Sequence, residues 1–277
     1  MKRYPSVLTI AGSDCSGGAG IQADIKTISA LGAYAASAIT AITVQNTLGV
    51  EAIHPIPPVY VEGQIKAVLK DIRPDAIKIG MVSDVDIIHS IASCLREFSP
   101  NYVVFDPVMV STSGRRLLEK KAIDTLIYEL IPLTSLITPN LSEAEVLTGH
   151  PVTQIAEMKL AAKEILQLGC EAVLIKGGHL QGGEMTDVLQ IKNHDTPYIY
   201  TAPSVESRNT HGTGCTLSSA IATYLALGIP MEKAVEKAKL YLYKGIETGK
   251  DIQIGHGHGP LNHFYDPTPM HIFDEKE

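Results

Sequence analysis

The stretch Arg208–Ser219, Arg-Asn-Thr-His-Gly-Thr-Gly-Cys-Thr-Leu-Ser-Ser, holds the residues whose types and spacing most clearly suggest chemistry. Gly212 and Gly214 allow a tight turn around Thr213, and Cys215 follows. From Cys215 onward Leu217, Ile221, Tyr224 and Leu225 fall on one helical face, so the turn opens a helix. The free N–H groups of a first helical turn, with the positive end of the helix dipole, make a site for an anion such as phosphate. A thiol in that turn, such as Cys215, is expected to have a lowered pKa. The plainer alternative is a glycine turn that only starts a core helix around a buried cysteine.

Three charged residues follow short apolar runs. Asp106 comes directly after Val103-Val104-Phe105, where a carboxylate could contact Mg²⁺ beside a phosphate, or cap a turn before Pro107. Lys176, after Ala172–Ile175 and before Gly177-Gly178-His179, could reach a phosphate or simply be solvated on a turn. Glu143 lies in Pro139-Asn140-Leu141-Ser142-Glu143-Ala144-Glu145, where Asn140 or Ser142 can cap a helix. Glu143 would then favour the helix dipole, or hold a metal-bound water; on the local sequence the capping role is the stronger.

The elements that must position these residues alternate. Val7–Ala11, Ala38–Val44, Ala76–Ile79, Tyr102–Phe105, Ser135–Thr138 and Ala172–Ile175 read as buried strands. Helical spacing covers Ile21–Leu31, Val59–Leu69, Val85–Leu95 and Ile155–Leu168, and Met231–Ile246 reads as the last long helix. Asp187–Lys192 and Tyr198–Thr201 read as an antiparallel pair about Asn193-His194-Asp195. Such alternation predicts an α/β fold with a mainly parallel sheet and helices on both faces. Ligands of such sheets gather at the carboxyl ends of the strands, which points to Gly12-Ser13-Asp14, Gln45-Asn46, Gly80-Met81 and Asp106–Met109. Gly18-Ala19-Gly20-Ile21-Gln22-Ala23 fits the dinucleotide pattern G-x-G-x-x-A only weakly, being far from its strand and lacking the later acidic residue. A dinucleotide-dependent oxidoreductase therefore has little support.

The 277 residues show no internal repeat or linker, so a single domain over residues 1–277 is expected. A net charge of -7 without a basic run, and the absence of Trp, argue against nucleic-acid partners. Four scattered cysteines form no Cys-x-x-Cys pair, as in a reduced cytoplasmic protein. No run is apolar enough for a membrane span, and the N-terminus lacks a signal-peptide pattern. The glycines of Gly255-His256-Gly257-His258-Gly259 make that segment too pliable for a preformed metal site.

Taken in order, seven motifs resemble one family: Gly12–Asp24, Ala41–Thr47, Lys78–Met81, Asp106–Met109, Thr138–Ala144, Lys176–His179 and Thr210–Thr216. Together they resemble the hydroxymethylpyrimidine/phosphomethylpyrimidine kinases of thiamine biosynthesis, in the ribokinase-like superfamily. The resemblance implies an ATP- and Mg²⁺-dependent kinase of 4-amino-5-hydroxymethyl-2-methylpyrimidine and its monophosphate, usually a homodimer. It implies Gly12, Asp24, Gln45, Met81 and Val108 at the pyrimidine, and Lys176, Asn140 and Thr210 on the nucleotide side. It further implies Asp106 and Glu143 on the Mg²⁺ side, with Gly212, Thr213, Gly214 and Cys215 as the anion hole and base. The Gln45 amide has chemical sense there, because its donor and acceptor match an aminopyrimidine edge. Many ribokinase-like enzymes carry Asp at the position of Cys215, whereas Cys is expected in pyrimidine kinases and in a group of bacterial pyridoxal kinases. A pyridoxal kinase is thus the alternative enzyme. A non-catalytic vitamin- or nucleotide-binding sensor is the alternative of another class, disfavoured because a binder has no need of Cys215, Asp106 and Lys176 together.

Overall fold

A computed structural model of the protein describes residues 2–82, 84–109, 118–178 and 184–274. The elements run β1 (Lys2–Arg3), β2 (Ser6–Asp14), α1 (Gly20–Ala30), β3 (Tyr34–Asn46), β4 (Gly49–Pro55), α2 (Pro58–Asp71), β5 (Ala76–Ile79), α3 (Val85–Phe98) and β6 (Val103–Phe105). They continue with α4 (Lys120–Thr125), β7 (Leu136–Ile137), α5 (Leu141–Thr148), α6 (Ile155–Leu166), β8 (Ala172–Gly177), β9 (Glu184–Ile191), β10 (Tyr198–Pro203), α7 (Thr213–Ala226), α8 (Met231–Gly249) and β11 (Phe273–Asp274). Nine strands form the main sheet in the order β10-β9-β8-β7-β6-β5-β2-β3-β4. The strands from β8 through β3 run parallel, while β4, β9 and β10 each pair antiparallel with a neighbour. The expected mainly parallel α/β sheet is therefore present.

Strand periodicity sorts side chains into two layers. Leu8 and Ile10, Ile77 and Ile79, Val103 and Phe105, Ile137, Val173 and Ile175 share one cluster with residues of α2, α3 and α6. Their neighbours Val7, Ala76, Val104, Leu136 and Leu174 share the other with α1, α7 and α8. Helices thus cover both faces, which explains why the strands read as continuous apolar runs rather than alternating ones. Stepping by two along the second set gives Thr9, Lys78, Asp106, Thr138 and Lys176. The polar groups on the α7 side of the sheet are hence continuations of core rows beyond their apolar part.

Two boundaries differ from the sequence expectation. A register shift between Ala11 and Ser13 lets β2 bend and continue pairing with β3 as far as Asp14. β3 itself runs to Asn46, so Gly12–Asp14 and Gln45 lie within strands rather than after them. The edge strand β4 gave little periodic signal because its side chains are mostly exposed. The segment Lys120–Leu133, also without a clear pattern, is helical, with α4 running into a wider turn at Leu126–Leu130 and a tighter one at Ile131–Leu133.

Ile77 on β5 has no exposed surface and packs in the first of these clusters. Ile77→Ala should lower unfolding stability by about 2–5 kcal/mol, seen as a lower urea midpoint at an unchanged slope.

Candidate active site

The start of α7 is held against the loop that follows β2. Gly212 has φ +82° and caps the helix. A Cβ there would lie 1.9 Å from the Gly18 carbonyl oxygen, so both conformation and space exclude any larger residue. Gly214 packs closely for a different reason: a Cβ on it would lie 3.2 Å from Asp106 Oδ2 and 3.5 Å from Lys176 Nζ. The helix start, the β6 carboxylate and the β8 ammonium thus converge at Gly214.

Asp106 is 2% exposed. Its Oδ1 accepts from Lys176 Nζ at 2.7 Å and from Thr138 Oγ1 at 3.1 Å. Burial works against the Lys176 ammonium, but Asp106 and Glu143 outweigh it and hold its pKa above the ordinary lysine value. Asn140 and Glu143 form a reciprocal cap at the start of α5: Glu143 N–H donates to Asn140 Oδ1 at 2.9 Å, and Asn140 N–H to Glu143 Oε2 at 2.8 Å. The capping role expected of Glu143 is present, yet the same carboxyl is buried near the Asp106–Lys176 pair. Burial pushes it up to about 7, with Lys176 opposing and Asp106 adding to the shift.

The expectation of an acidic thiol at Cys215 is corrected here. Burial pushes its pKa up to about 11, against the lowering influence of Lys78 and of a hydrogen bond from the Gly20 N–H; Asp24 and Asp106 add to the rise. Half-buried at the helix start, Cys215 therefore favours the thiol form at neutral pH, because the desolvation of a thiolate there exceeds what one helix terminus returns.

A second polar group lies beside the first. Asp14 Oδ2 meets His211 Nε2 at 2.9 Å and accepts from the N–H groups of Gly18 and Ala19, while its Oδ1 accepts from Ser16. Burial raises the Asp14 carboxyl, but these bonds, led by His211, hold it well below the usual carboxylate range. Gln45 Nε2 stands 3.1 Å from the same His211 nitrogen, and Gln45 Oε1 stands 3.2 Å from Thr43 Oγ1, which also contacts the Ser13 carbonyl at 2.9 Å. One hydroxyl proton cannot serve two acceptors, and the His211 proton facing Asp14 cannot face an amide donor. Turning the Gln45 amide so that its oxygen faces His211 and its nitrogen faces Thr43 removes the donor–donor clash and frees the Thr43 proton for the Ser13 carbonyl; the one His211 proton is then shared between Asp14 and Gln45.

Of the remaining expected residues, Gly12 and Met81 meet, since a Cβ on Gly12 would lie 2.6 Å from Met81 Cε. Val108 and Thr210 are half-buried, and the Thr210 carbonyl accepts from Thr213 N–H at 3.3 Å. His179 lies outside the described residues. Asp24 needs correction: it is 0% exposed and its carboxylate is fully engaged by Thr9, Lys78 and Ser219, so it lies beneath the site and not at a ligand surface. The sequence reading pointed to the Gly12–Asp14 strand end without giving Asp14 a role, and it missed His211 as a site residue although that histidine lies inside a quoted motif. It missed Lys78 because a lysine within an apolar strand gives no sign of its partner.

The Mg²⁺ expectation can be tested against the donors present. Asp106 Oδ2 takes no hydrogen bond from the described residues and borders the space beside Gly214. Among the described residues no group of three or more His, Cys, Asp or Glu could form a protein cage for a metal. One free carboxylate oxygen with a second carboxyl nearby fits an ion that keeps waters and phosphate oxygens as its other ligands, as Mg²⁺ does.

The raised Glu143 pKa has a consequence for stability. Its unfolded value is near 4.5 and its folded value about 7, so the fold prefers the protonated form. That contribution is complete below about pH 4.5 and is lost as pH rises through about 7. Glu143→Gln should therefore leave melting unchanged near pH 4.5 and raise the ligand-free melting temperature by about 3 °C or more at pH 8. Parallel melting curves of the two proteins across this range would remove the assignment.

A family profile described as phosphomethylpyrimidine kinase matches residues 14–262. A hydroxymethylpyrimidine/phosphomethylpyrimidine kinase of Rhizobium meliloti is 51% identical over 259 residues, covering 93% of this chain and 96% of that protein. The crystal structure of phosphomethylpyrimidine kinase from Clostridium difficile is 50% identical with a TM-score of 0.78, covering 87% of this chain and 99% of that one. The pyridoxal kinase from Staphylococcus aureus in complex with AMP-PCP has a TM-score of 0.88 at 33% identity, covering 98% of this chain and 99% of that one. Backbone shape is shared by kinases of both rings, whereas the higher identity lies with the pyrimidine kinases. This ribokinase-like chain belongs to the phosphomethylpyrimidine kinase family.

Proposed function

We propose that this protein is an ATP-dependent kinase of 4-amino-5-hydroxymethyl-2-methylpyrimidine and of its monophosphate in thiamine biosynthesis, working as one domain. The observation that carries the reading is the convergence of the α7 N-terminus, Asp106 and Lys176 at Gly214, one residue before Cys215. ATP would supply the phosphoryl group, and Mg²⁺, on the Asp106 and Glu143 side, would offset charge on its phosphates. The N–H groups of Gly214 and Cys215 would hold the oxygens of the transferring group, and Lys176 would add a fixed positive charge. The substrate hydroxyl oxygen bonds to the γ-phosphorus as the bond to the leaving nucleoside diphosphate breaks, and the hydroxyl proton passes to the Cys215 sulfur in the fraction of the protein in which that sulfur is a thiolate. Gln45, with its amide oriented by His211 and Thr43, offers the pyrimidine edge a remaining donor and acceptor, beside Gly12, Met81 and Val108.

Pyridoxal is the second reading, supported by the closeness of the pyridoxal kinase backbone. A homodimer is part of the proposal. Ile42 and Val44 on β3 are 48% and 53% exposed, and such apolar groups beside an edge hairpin suit burial by a second copy. A cytoplasmic location is also proposed: the cysteines are unpaired, and no helix among the described residues is long and apolar enough to cross a membrane.

A coupled ATP assay with the hydroxymethylpyrimidine, its monophosphate and pyridoxal tests the reading; turnover of pyridoxal alone would transfer it to the second ring. Cys215→Ala should lower kcat by about 100-fold or more with little change in KM for ATP. Because Cys215 is a thiol in the free protein, kcat/KM of the wild type should climb with pH from about 7 to about 9, and the variant should lose that slope. Equal turnover by both proteins would remove Cys215 as the base. Gln45→Leu should raise KM for the hydroxymethylpyrimidine by about 5- to 150-fold, the equivalent of one or more unpaired polar groups, while KM for ATP stays put. An unchanged pyrimidine KM would put Gln45 outside the pocket.

A further inference from the structure

Beneath Cys215 lies a polar cluster that the proposed reaction does not use directly. Thr9 on β2, Asp24 on α1, Lys78 on β5 and Ser219 on α7 each have 0% exposure. The Asp24 carboxylate accepts on both oxygens from Lys78 Nζ at 2.8 Å, on Oδ2 from Thr9 Oγ1 at 2.5 Å and on Oδ1 from Ser219 Oγ at 2.6 Å. Ser219 lies four residues after Cys215, hence on the same face of α7. One residue earlier, Ser218 Oγ donates to the Gly214 carbonyl, one turn back, at 2.9 Å. Gly80 leaves room for the ammonium, since a Cβ there would lie 2.8 Å from Lys78 Nζ. A charge this deep is costly unless paired, and a packed apolar pair would stabilise the fold as well or better. A pair kept under a reactive sulfur therefore calls for a role beyond stability.

We propose that Lys78 is a positioning residue for Cys215: held by Asp24, its buried ammonium fixes the start of α7 and stands as the counter-charge for the sulfur when it loses its proton. The charged groups around Cys215 come from every neighbouring element. Lys78 on β5 and Lys176 on β8 favour the thiolate; Asp24 on α1 and Asp106 after β6 disfavour it. Lys78 is tied to α7 through Asp24 and Ser219, one turn after Cys215, and α7 packs on β5, β2, β6 and α1, so its ammonium is a favourable charge beneath the sulfur. With two carboxylates opposing, removal of Lys78 leaves the thiolate with little support. The inference rests on the kinase reading for its catalytic meaning, but its electrostatic part does not.

The test uses Lys78→Met and the double variant Lys78→Met/Asp24→Asn, which avoids leaving a lone buried carboxylate if the single variant folds poorly. Iodoacetamide modification of the Cys215 peptide, followed by mass spectrometry at about pH 8.5, reads the thiolate fraction without any need for activity. The single variant should react about 10-fold more slowly than wild type, equivalent to about one pH unit, and the double variant by a smaller but clear factor. With the proposed substrates, kcat should fall about 10-fold or more in the double variant while its melting temperature returns towards wild type. Recovery of kcat and alkylation together with stability would show a purely structural pair and overturn the proposal, as would an unchanged alkylation rate in both variants. Absence of kinase activity in the wild type, with slowed alkylation in the variants, would sink the kinase reading and leave the electrostatic assignment standing.

Discussion

The structure depends most on the side-chain alternation of a parallel sheet covered on both faces. Because β2, β5, β6, β7 and β8 run in the same direction, each presents its α7-side row in step with the others. The lower members of those rows, Val7, Ala76, Val104, Leu136 and Leu174, are apolar and seal the layer under α1, α7 and α8. Two residues further along, the same rows carry Thr9, Lys78, Asp106, Thr138 and Lys176. Core and site are therefore one pattern read at two heights, and a slip of one residue in any strand would move its polar group to the wrong layer.

That geometry makes electrostatics the dominant local force. Asp106 with Lys176 and Asp24 with Lys78 bring two ion pairs beneath and beside one helix start. Each carboxylate is further satisfied by a hydroxyl, from Thr138 or from Thr9 and Ser219, as burial demands. Where satisfaction is incomplete, protonation shifts: Glu143 and Cys215 are both pushed towards their neutral forms by desolvation. A ligand-free site with neutral thiol, half-neutral carboxyl and one free Asp106 oxygen is primed for a polyanion accompanied by a cation.

The tail closes the arrangement. His258 N–H donates to the Thr47 carbonyl at 2.9 Å, and His211 N–H to the Gly259 carbonyl at 3.1 Å. The Asn209 amide reaches the carbonyls of Gly249 and Ile252. His263 is buried against Thr216, and its pKa is lowered to about 4, chiefly by desolvation. The glycines of the tail serve close backbone packing here: a Cβ on Gly257 would lie 2.0 Å from the Thr47 carbonyl oxygen. The chain thus returns from α8 to pin the anion loop to the end of β3.

By itself the sequence determined what local pattern can determine. Apolar runs broken by helical spacing gave the parallel α/β sheet, polar residues directly after those runs gave Asp106 and Lys176, and paired glycines ahead of a helical pattern gave the Gly212–Cys215 turn. A helix cap at Asn140 or Ser142 with Glu143 in the first turn was legible from spacing; that the cap is the reciprocal Asn140–Glu143 pair was decided by the fold. Hidden were the features that depend on distant partners. Lys78 and Asp24 are 54 residues apart, and His211 and Asp14 are 197 apart. No local signal foretells those pairings. The acidity of Cys215 came out opposite to expectation for the same reason: a helix terminus is visible in sequence, whereas burial, and the carboxylates that share it, exist only once the strands and α7 are packed together.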